Sequence, residues 1–193
     1  MLPWIYQHYV ELLGTAFSIA YLYFSIKQNI LLWPLGIMSA IFYLVVFYES
    51  KFYADMALNG YYLIISIYGW ITWKRAREKM GMKMPIKRLK IKMGLTLIIV
   101  TGILYIVIGK VLYLYTDSPI PYWDAFTTSA SIVATWMLAR KFLEHWIVWV
   151  IVDLVSMALY IYRGLYPTTI LFAVYTTMAV VGFIQWRKEL LQY

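Results

Sequence analysis

Asp153 is the residue of this sequence with the most chemistry at stake. It stands midway along the apolar run W-I-V-W-V-I-V-D-L-V-S-M-A-L-Y, Trp146 to Tyr160, where a carboxylate costs about 2.5–3.5 kcal/mol on membrane-insertion scales. Steps of three and four residues put Trp146, Trp149, Asp153, Ser156 and Tyr160 on one helical stripe. Indole faces around one carboxylate suit an organic cation, since each face contributes about 0.5–2 kcal/mol and the acid supplies the counter-charge. The plainer alternative is an acid hydrogen-bonded to a neighbouring helix. A second stripe, Asn59, Tyr62, Ser66, Trp70 and Trp73, lacks charge. Its Asn59 suits a ribose hydroxyl or an amide, Trp70 a flat ring, and Trp73 the membrane interface. Ser39, Tyr43 and Tyr175 complete the candidate binding residues. Asp124, Thr127, Thr128, Ser131, Thr135, Thr176 and Thr177 fit helix packing better than ligand contact.

Other chemistries lack their residues. The chain has no Cys and only two histidines, His8 and His145, expected at opposite surfaces. No disulfide, thiolate nucleophile, metal site of usual spacing or Ser–His relay can be assembled from them. Neither catalysis nor a cofactor nor a metal is therefore expected. One mid-membrane acid without a second carboxylate or histidine is also a poor proton relay, which favours uniport over ion coupling.

The elements that must position these residues follow from composition. Hydrophobic residues make up 63% of the 193, charged residues 13%, and the mean hydropathy is +0.70, values of an all-α integral membrane protein. Seven spans are expected, near residues 9–26, 30–48, 54–73, 92–114, 122–140, 145–162 and 167–186, each long enough for a hydrocarbon core of about 30 Å. They are apolar all round, without the alternation of barrel strands. The opening segment has no basic stretch before its apolar run, so the first span is expected to be retained. Nine of the 17 Lys and Arg fall in Lys74–Lys92, read as one hydrophilic loop. With that loop cytoplasmic, Lys27, Arg140, Lys141, Arg187 and Lys188 also fall inside, while Lys51 and Arg163 lie in external loops. The N-terminus is then outside and the C-terminus inside a bacterial cytoplasmic (inner) membrane. The +8 net charge is thus explained by topology and anionic headgroups, not by nucleic acid.

The chain also repeats itself. Tyr53, Gly69 and Trp73 recur as Tyr166, Gly182 and Trp186 at an offset of 113. A second pair of anchors, N-I-L-L-W ending at Trp33 and H-W-I-V-W ending at Trp149, stands at 116. The difference is assigned to the loop after the second span of each copy, Glu49–Lys51 against Arg163–Gly164, where an insertion costs little. The expected architecture is a single membrane domain of two parallel three-helix repeats, about 9–73 and 122–186, joined by a linker helix at about 92–114. That is the 3+1+3 plan of SWEET carriers, with substrate held between repeats near the midplane.

Several stretches carry a resemblance that runs over essentially the whole chain: I-Y-G-W-I-T-W at Ile67–Trp73, P-Y-W-D at Pro121–Asp124, S-I-V-A at Ser131–Ala134, A-R-K-F at Ala139–Phe142 and E-H-W-I-V-W-V-I-V-D at Glu144–Asp153. With these the sequence resembles the PnuC family of vitamin transporters. The resemblance implies facilitated diffusion of nicotinamide riboside, trapping by a cytoplasmic kinase that phosphorylates it, and a homotrimer; a branch called PnuT implies thiamine. Nicotinamide riboside members place Asn where this chain has Asp153, Gln at Asn59 and Asn at Ser39. Both candidate substrates carry a fixed positive charge on an aromatic ring, and the full charge of Asp153 leans toward thiamine. The remaining alternatives are a sugar or nucleoside carrier of SWEET-like plan, a proton-coupled vitamin transporter, and a membrane scaffold that transports nothing.

Overall fold

The computed structural model describes residues 2–49 and 53–192, without the side chains of residues 2–8, 11, 53, 54 and 167. The described residues form seven helices: α1 (Leu2–Ile26), α2 (Leu32–Glu49), α3 (Tyr53–Met80), α4 (Ile91–Tyr115), α5 (Pro121–Ala139), α6 (His145–Tyr162) and α7 (Tyr166–Leu190). Each expected span lies on one of them. By length and composition, α2, α4, α6 and residues Thr168–Leu190 of α7 are long and apolar enough to cross a membrane. The expected hydrophilic loop is shorter than Lys74–Lys92, because α3 continues to Met80 and α4 begins at Ile91. Lys, Arg, Glu, Ala and Met are strong helix formers, so charge alone does not end α3. Gly81, at φ 67°, ends it, a conformation that costs glycine nothing.

The chain divides into two compact units, Met1–Met84 and Pro85–Tyr193. In the first, α2 packs on both α1 and α3. Small residues allow the close approach to α1: Tyr43 lies over Gly14, the Ser18 and Ser39 hydroxyls are 2.7 Å apart, and Ser39 donates to the Gly14 carbonyl at 3.3 Å. Toward α3, the Trp33 indole lies where a Cβ on Gly69 would stand. It meets Trp73 edge to face, with ring centroids 5.4 Å apart and planes at 89°.

In the second unit α5 packs on α4 and α6, and α6 on α7. Helix α5 is the buried element, with Ala125, Ser129, Ala130, Ser131, Ala134 and Ala139 among its buried residues. These are the small side chains that membrane helices use at contacts. Helix α4 is the opposite case, exposing Ile91, Leu95, Ile98, Ile99, Ile103 and Ile106. Trp146 of α6 fills the place over Gly182, where a Cβ would come within 2.6 Å. It meets Trp186 edge to face at 5.8 Å and 88°.

The tryptophan of the second unit that packs as Trp33 does is thus Trp146, not Trp149. The earlier anchors also stand 113 apart, and no insertion after the second span is needed. Residues 50–52, where it was expected, lie outside the described residues together with Lys51. Helix bounds keep the same register: α1 and α5 end at Ile26 and Ala139, α2 and α6 run Leu32–Glu49 and His145–Tyr162, α3 and α7 begin at Tyr53 and Tyr166. The turns do too. Gln28 and Lys141 both have positive φ, 50° and 57°. Asn29 N–H donates to Phe24 O at 2.9 Å, and Phe142 N–H to Met137 O at 3.0 Å, closing the same helix-ending Schellman turn.

Candidate functional site

Asp153 is the ninth of the 18 residues of α6 and is 4% exposed. Its carboxylate has no hydrogen-bond or ion-pair partner among the described residues. The glue role, an acid bonded to an adjacent helix, therefore lacks its bond within the described residues. Val152 and Ser156 are buried beside it, while Trp149, one turn earlier, is half-buried. The stripe does not act as one surface. Trp146 is 1% exposed, wedged on Gly182 and against Trp186, and its ring is committed to packing rather than to a cation. Tyr175 is half-buried on α7. It is linked toward α6 through Phe172, which contacts Tyr175 at 5.6 Å and Tyr160 at 5.0 Å.

The remaining candidates belong to the first unit, and several are spent on helix contacts. Ser39 is bonded to α1 as described. Tyr43 Oη lies 2.9 Å from Thr15 Oγ1. Ser66 is buried, its Oγ facing Gly36 of α2. Asn59 donates from Nδ2 to the Asp55 carbonyl of its own helix at 3.0 Å, which reduces what it can offer a ribose. Tyr62 is half-buried next to Tyr61. Trp73 is 4% exposed, so it is a packing residue and not the interfacial anchor expected. Trp70 is 41% exposed and lines an open cleft of about 540 Å³ with Ile30, Lys74, Arg77, Glu78 and Gly81. The two cations make that cleft a poor setting for a positively charged ring.

Hydroxyls of Thr135, Thr176 and Thr177 donate to carbonyls four residues back on their own helices, at 2.8–2.9 Å. Asp124 accepts from Ser118 Oγ at 2.5 Å, fastening the turn that precedes α5.

Two buried ionisable residues were expected elsewhere from the sequence. Lys141, counted there among cytoplasmic surface charges, is 1% exposed, with Nζ 5.8 Å from the centre of the Trp186 ring. His145, expected near a surface, is fully buried. Its Nδ1 is 2.7 Å from the Phe142 carbonyl and therefore carries the ring proton in the neutral form. Its Nε2 has no partner among the described residues, nor do the Nε1 atoms of Trp33 and Trp146. The available signal was the A-R-K-F string directly after α5, whose Lys stands 113 residues beyond Gln28. The same turn binds the loop before α4: Lys87 N–H donates to Lys141 O at 2.8 Å, Leu143 N–H to Lys87 O at 2.9 Å, and Leu89 N–H to Glu144 Oε2 at 2.9 Å. Among the described residues no cluster of three His, Asp or Glu is placed to hold a metal.

Residues 8–188 match a family described as nicotinamide mononucleotide transporter. The chain is similar to the nicotinamide riboside transporter PnuC of Escherichia coli K12, 22% identical over 202 residues, covering 92% of this chain and 84% of that protein. It is also similar to the riboflavin/roseoflavin transporter RibM of Streptomyces davaonensis, 21% identical over 184 residues, covering 93% and 86%. Among solved structures, the crystal structure of the vitamin B3 transporter PnuC matches with a TM-score of 0.77 at 22% identity, over 96% of this chain and 83% of that one. This last match establishes a common fold.

Proposed function

Because the chain belongs to the nicotinamide mononucleotide transporter family, we propose that it is a facilitative carrier moving a cationic, vitamin-sized aromatic compound across the cytoplasmic membrane. The first candidate substrate is nicotinamide riboside, named for the PnuC relative. The observation that carries this reading is Asp153, a buried carboxylate without a partner among the described residues. An acid kept unpaired in an apolar span is costly, and a cationic substrate offsets that cost only while bound. Trp149, half-buried one turn away, is the ring of the stripe still free to face such a ligand. Tyr62 and Tyr175 stand 113 residues apart, one in each unit, and we keep both as ligand-contact residues of the proposal. Asn59, Ser39, Tyr43 and Ser66 support it from positions already bonded or packed within the first unit.

The common register of helix ends, turns and tryptophan–glycine contacts supports the 3+1+3 plan: seven spans, two parallel repeats, and α4 as linker. Fourteen Lys and Arg on one side support a cytoplasmic C-terminus and an external N-terminus. Uniport with trapping by a cytoplasmic kinase completes the proposal, in a homotrimer and with no catalytic step in the carrier itself. Thiamine is the second reading, favoured by the full charge of Asp153 and by the engagement of the Asn59 amide. A riboflavin transporter among the relatives shows why family membership alone does not choose the ring.

Liposomes that contain the protein and enclose the matching kinase should accumulate radiolabelled nicotinamide riboside or thiamine. Uptake of neither, or competition by sugars and not by the cations, overturns the reading. Asp153→Asn should leave the protein folded and weaken binding of thiamine by about 1–3 kcal/mol, the scale of a charge-assisted contact. Nicotinamide riboside should be held as well or better. Equal calorimetric titrations of parent and variant would remove the counter-ion role.

A further inference from the structure

The cleft around Trp70 has a composition that the transport cycle does not use. From the geometry we infer that it holds the headgroup of a glycerophospholipid of the ethanolamine type, its phosphate on Lys74 and Arg77 and its ammonium at Glu78 and the Trp70 face. Helix α3 has 28 residues, about 42 Å at 1.5 Å per residue, against a hydrocarbon core of about 30 Å. As a span, it must project about two turns beyond the apolar layer. Those turns begin after Trp73 and carry Lys74, Arg75, Arg77 and Lys79. Trp70 is therefore at the level where hydrocarbon gives way to headgroups, and its exposed ring is the amphipathic surface that favours this zone.

Charge selects the occupant. All nine cations from Lys74 to Lys92 are exposed, so general attraction to a negative leaflet is spread over the whole segment. The cleft is different in holding a single acid, Glu78, among its cations. Neither Lys74, Arg77 nor Glu78 has an ion-pair partner among the described residues, so the three charges remain unneutralised by one another. Two cations accept a phosphodiester, while a carboxylate and an indole face accept an ammonium. Ile30 gives the first carbons of the lipid an apolar wall. A purely anionic headgroup leaves Glu78 opposed to it, and a choline headgroup cannot donate a hydrogen bond to the carboxylate. The site requires α3 to span the bilayer but not any particular cargo, so the uptake assay and the lipid assay fail independently.

Native mass spectrometry of the purified protein, titrated with phosphatidylethanolamine, phosphatidylglycerol and phosphatidylcholine, tests the assignment. The ethanolamine lipid should be retained most. Lys74→Gln with Arg77→Gln should weaken it roughly tenfold or more, the loss of two near-surface charges. Lys83→Gln with Arg88→Gln, outside the cleft, should change little, and helical content should stay the same in all variants. Glu78→Gln should turn the preference toward phosphatidylglycerol. Equal retention by the two double variants would reduce the site to diffuse loop electrostatics and overturn it. Preference of the parent for phosphatidylglycerol overturns the ethanolamine assignment. Displacement of the lipid by free phosphoethanolamine at matching concentration overturns the lipid in favour of a soluble phosphate.

Discussion

The tryptophan clusters of the two units share a backbone and differ in polarity. In the first, Trp33 packs on Gly69 and Trp73, with Gln28 and Leu32 buried; 113 residues on stand Lys141, His145, Trp146, Gly182 and Trp186. Gly admits the indole in both, and the second Trp closes its edge at nearly the same angle, 89° and 88°. Yet an apolar Leu32 is replaced by a histidine with an unpaired nitrogen, and a neutral Gln28 by a buried lysine. At the middle of the helices the same holds, since Ala40, 2% exposed, stands where α6 has Asp153, 4% exposed. The two units solve the packing problem identically, while the costly polar groups gather in one of them. Packing residues are therefore what the two units have in common, and the buried polar groups are where they differ.

Removing the frame should have the largest effect, and an equal one on both sides. Trp33→Ala and Trp146→Ala each empty a buried ring position and should cost about 3–5 kcal/mol, read as loss of thermal stability in detergent. A large asymmetry would mean that the clusters are alike only in outline. Copying the charge comes next. Ala40→Asp should carry an insertion cost of about 2.5–3.5 kcal/mol and yield no transport gain, because the first unit has Gly36 where the second has Trp149. Improved uptake by this variant breaks the proposal that the counter-charge belongs to the second unit. Exchanging the histidine is milder: His145→Leu removes an orphaned acceptor and should raise stability by about 1 kcal/mol, whereas Leu32→His should lower it by about 1–3 kcal/mol. Thermal melts of both, compared with uptake, sharpen the comparison if His145→Leu gains stability and loses transport. The smallest effect is at the turns. Gln28→Gly relieves a left-handed residue and should stabilise by about 0.5–1 kcal/mol. Lys141→Gly should gain less, since it also deletes a side chain packed toward Trp186, and equal melting shifts would show that this lysine contributes no packing.

The number and place of the helices were legible because a hydrophobic run of span length has few other uses. The end of α3 was not: charge marked Lys74 as the edge of the membrane, and only Gly81 marks the end of the helix. Register was legible through Gly69 and Gly182, but aligning N-I-L-L-W with H-W-I-V-W put Trp33 beside Trp149. Which of two tryptophans points at a glycine depends on the packing of a neighbouring helix, and sequence spacing on one helix does not contain it. For the same reason Trp146 looked like a ligand ring and Trp73 like an anchor. Asp153 could be chosen from sequence since its cost is set by depth alone. Lys141 could not, because a lysine after a helix normally reaches water, and here the turn folds it under Trp186.

The hydrogen bonds that hold Lys87 also set how the polypeptide can be cut. A protease draws its substrate into an extended, unbonded strand, and Lys87 has both backbone groups engaged, with Lys141 and Leu143. Trypsin therefore meets two classes of target in one short connection: Lys83, ahead of the clasp, is open to it, while Lys87 and Arg88 are shielded. The first nick leaves α1–α3 on one fragment and α4–α7, clasp intact, on the other, beside the boundary between the compact units at Met84. A gene split at that point would keep each cluster whole on its own chain, making the two halves separately exchangeable parts.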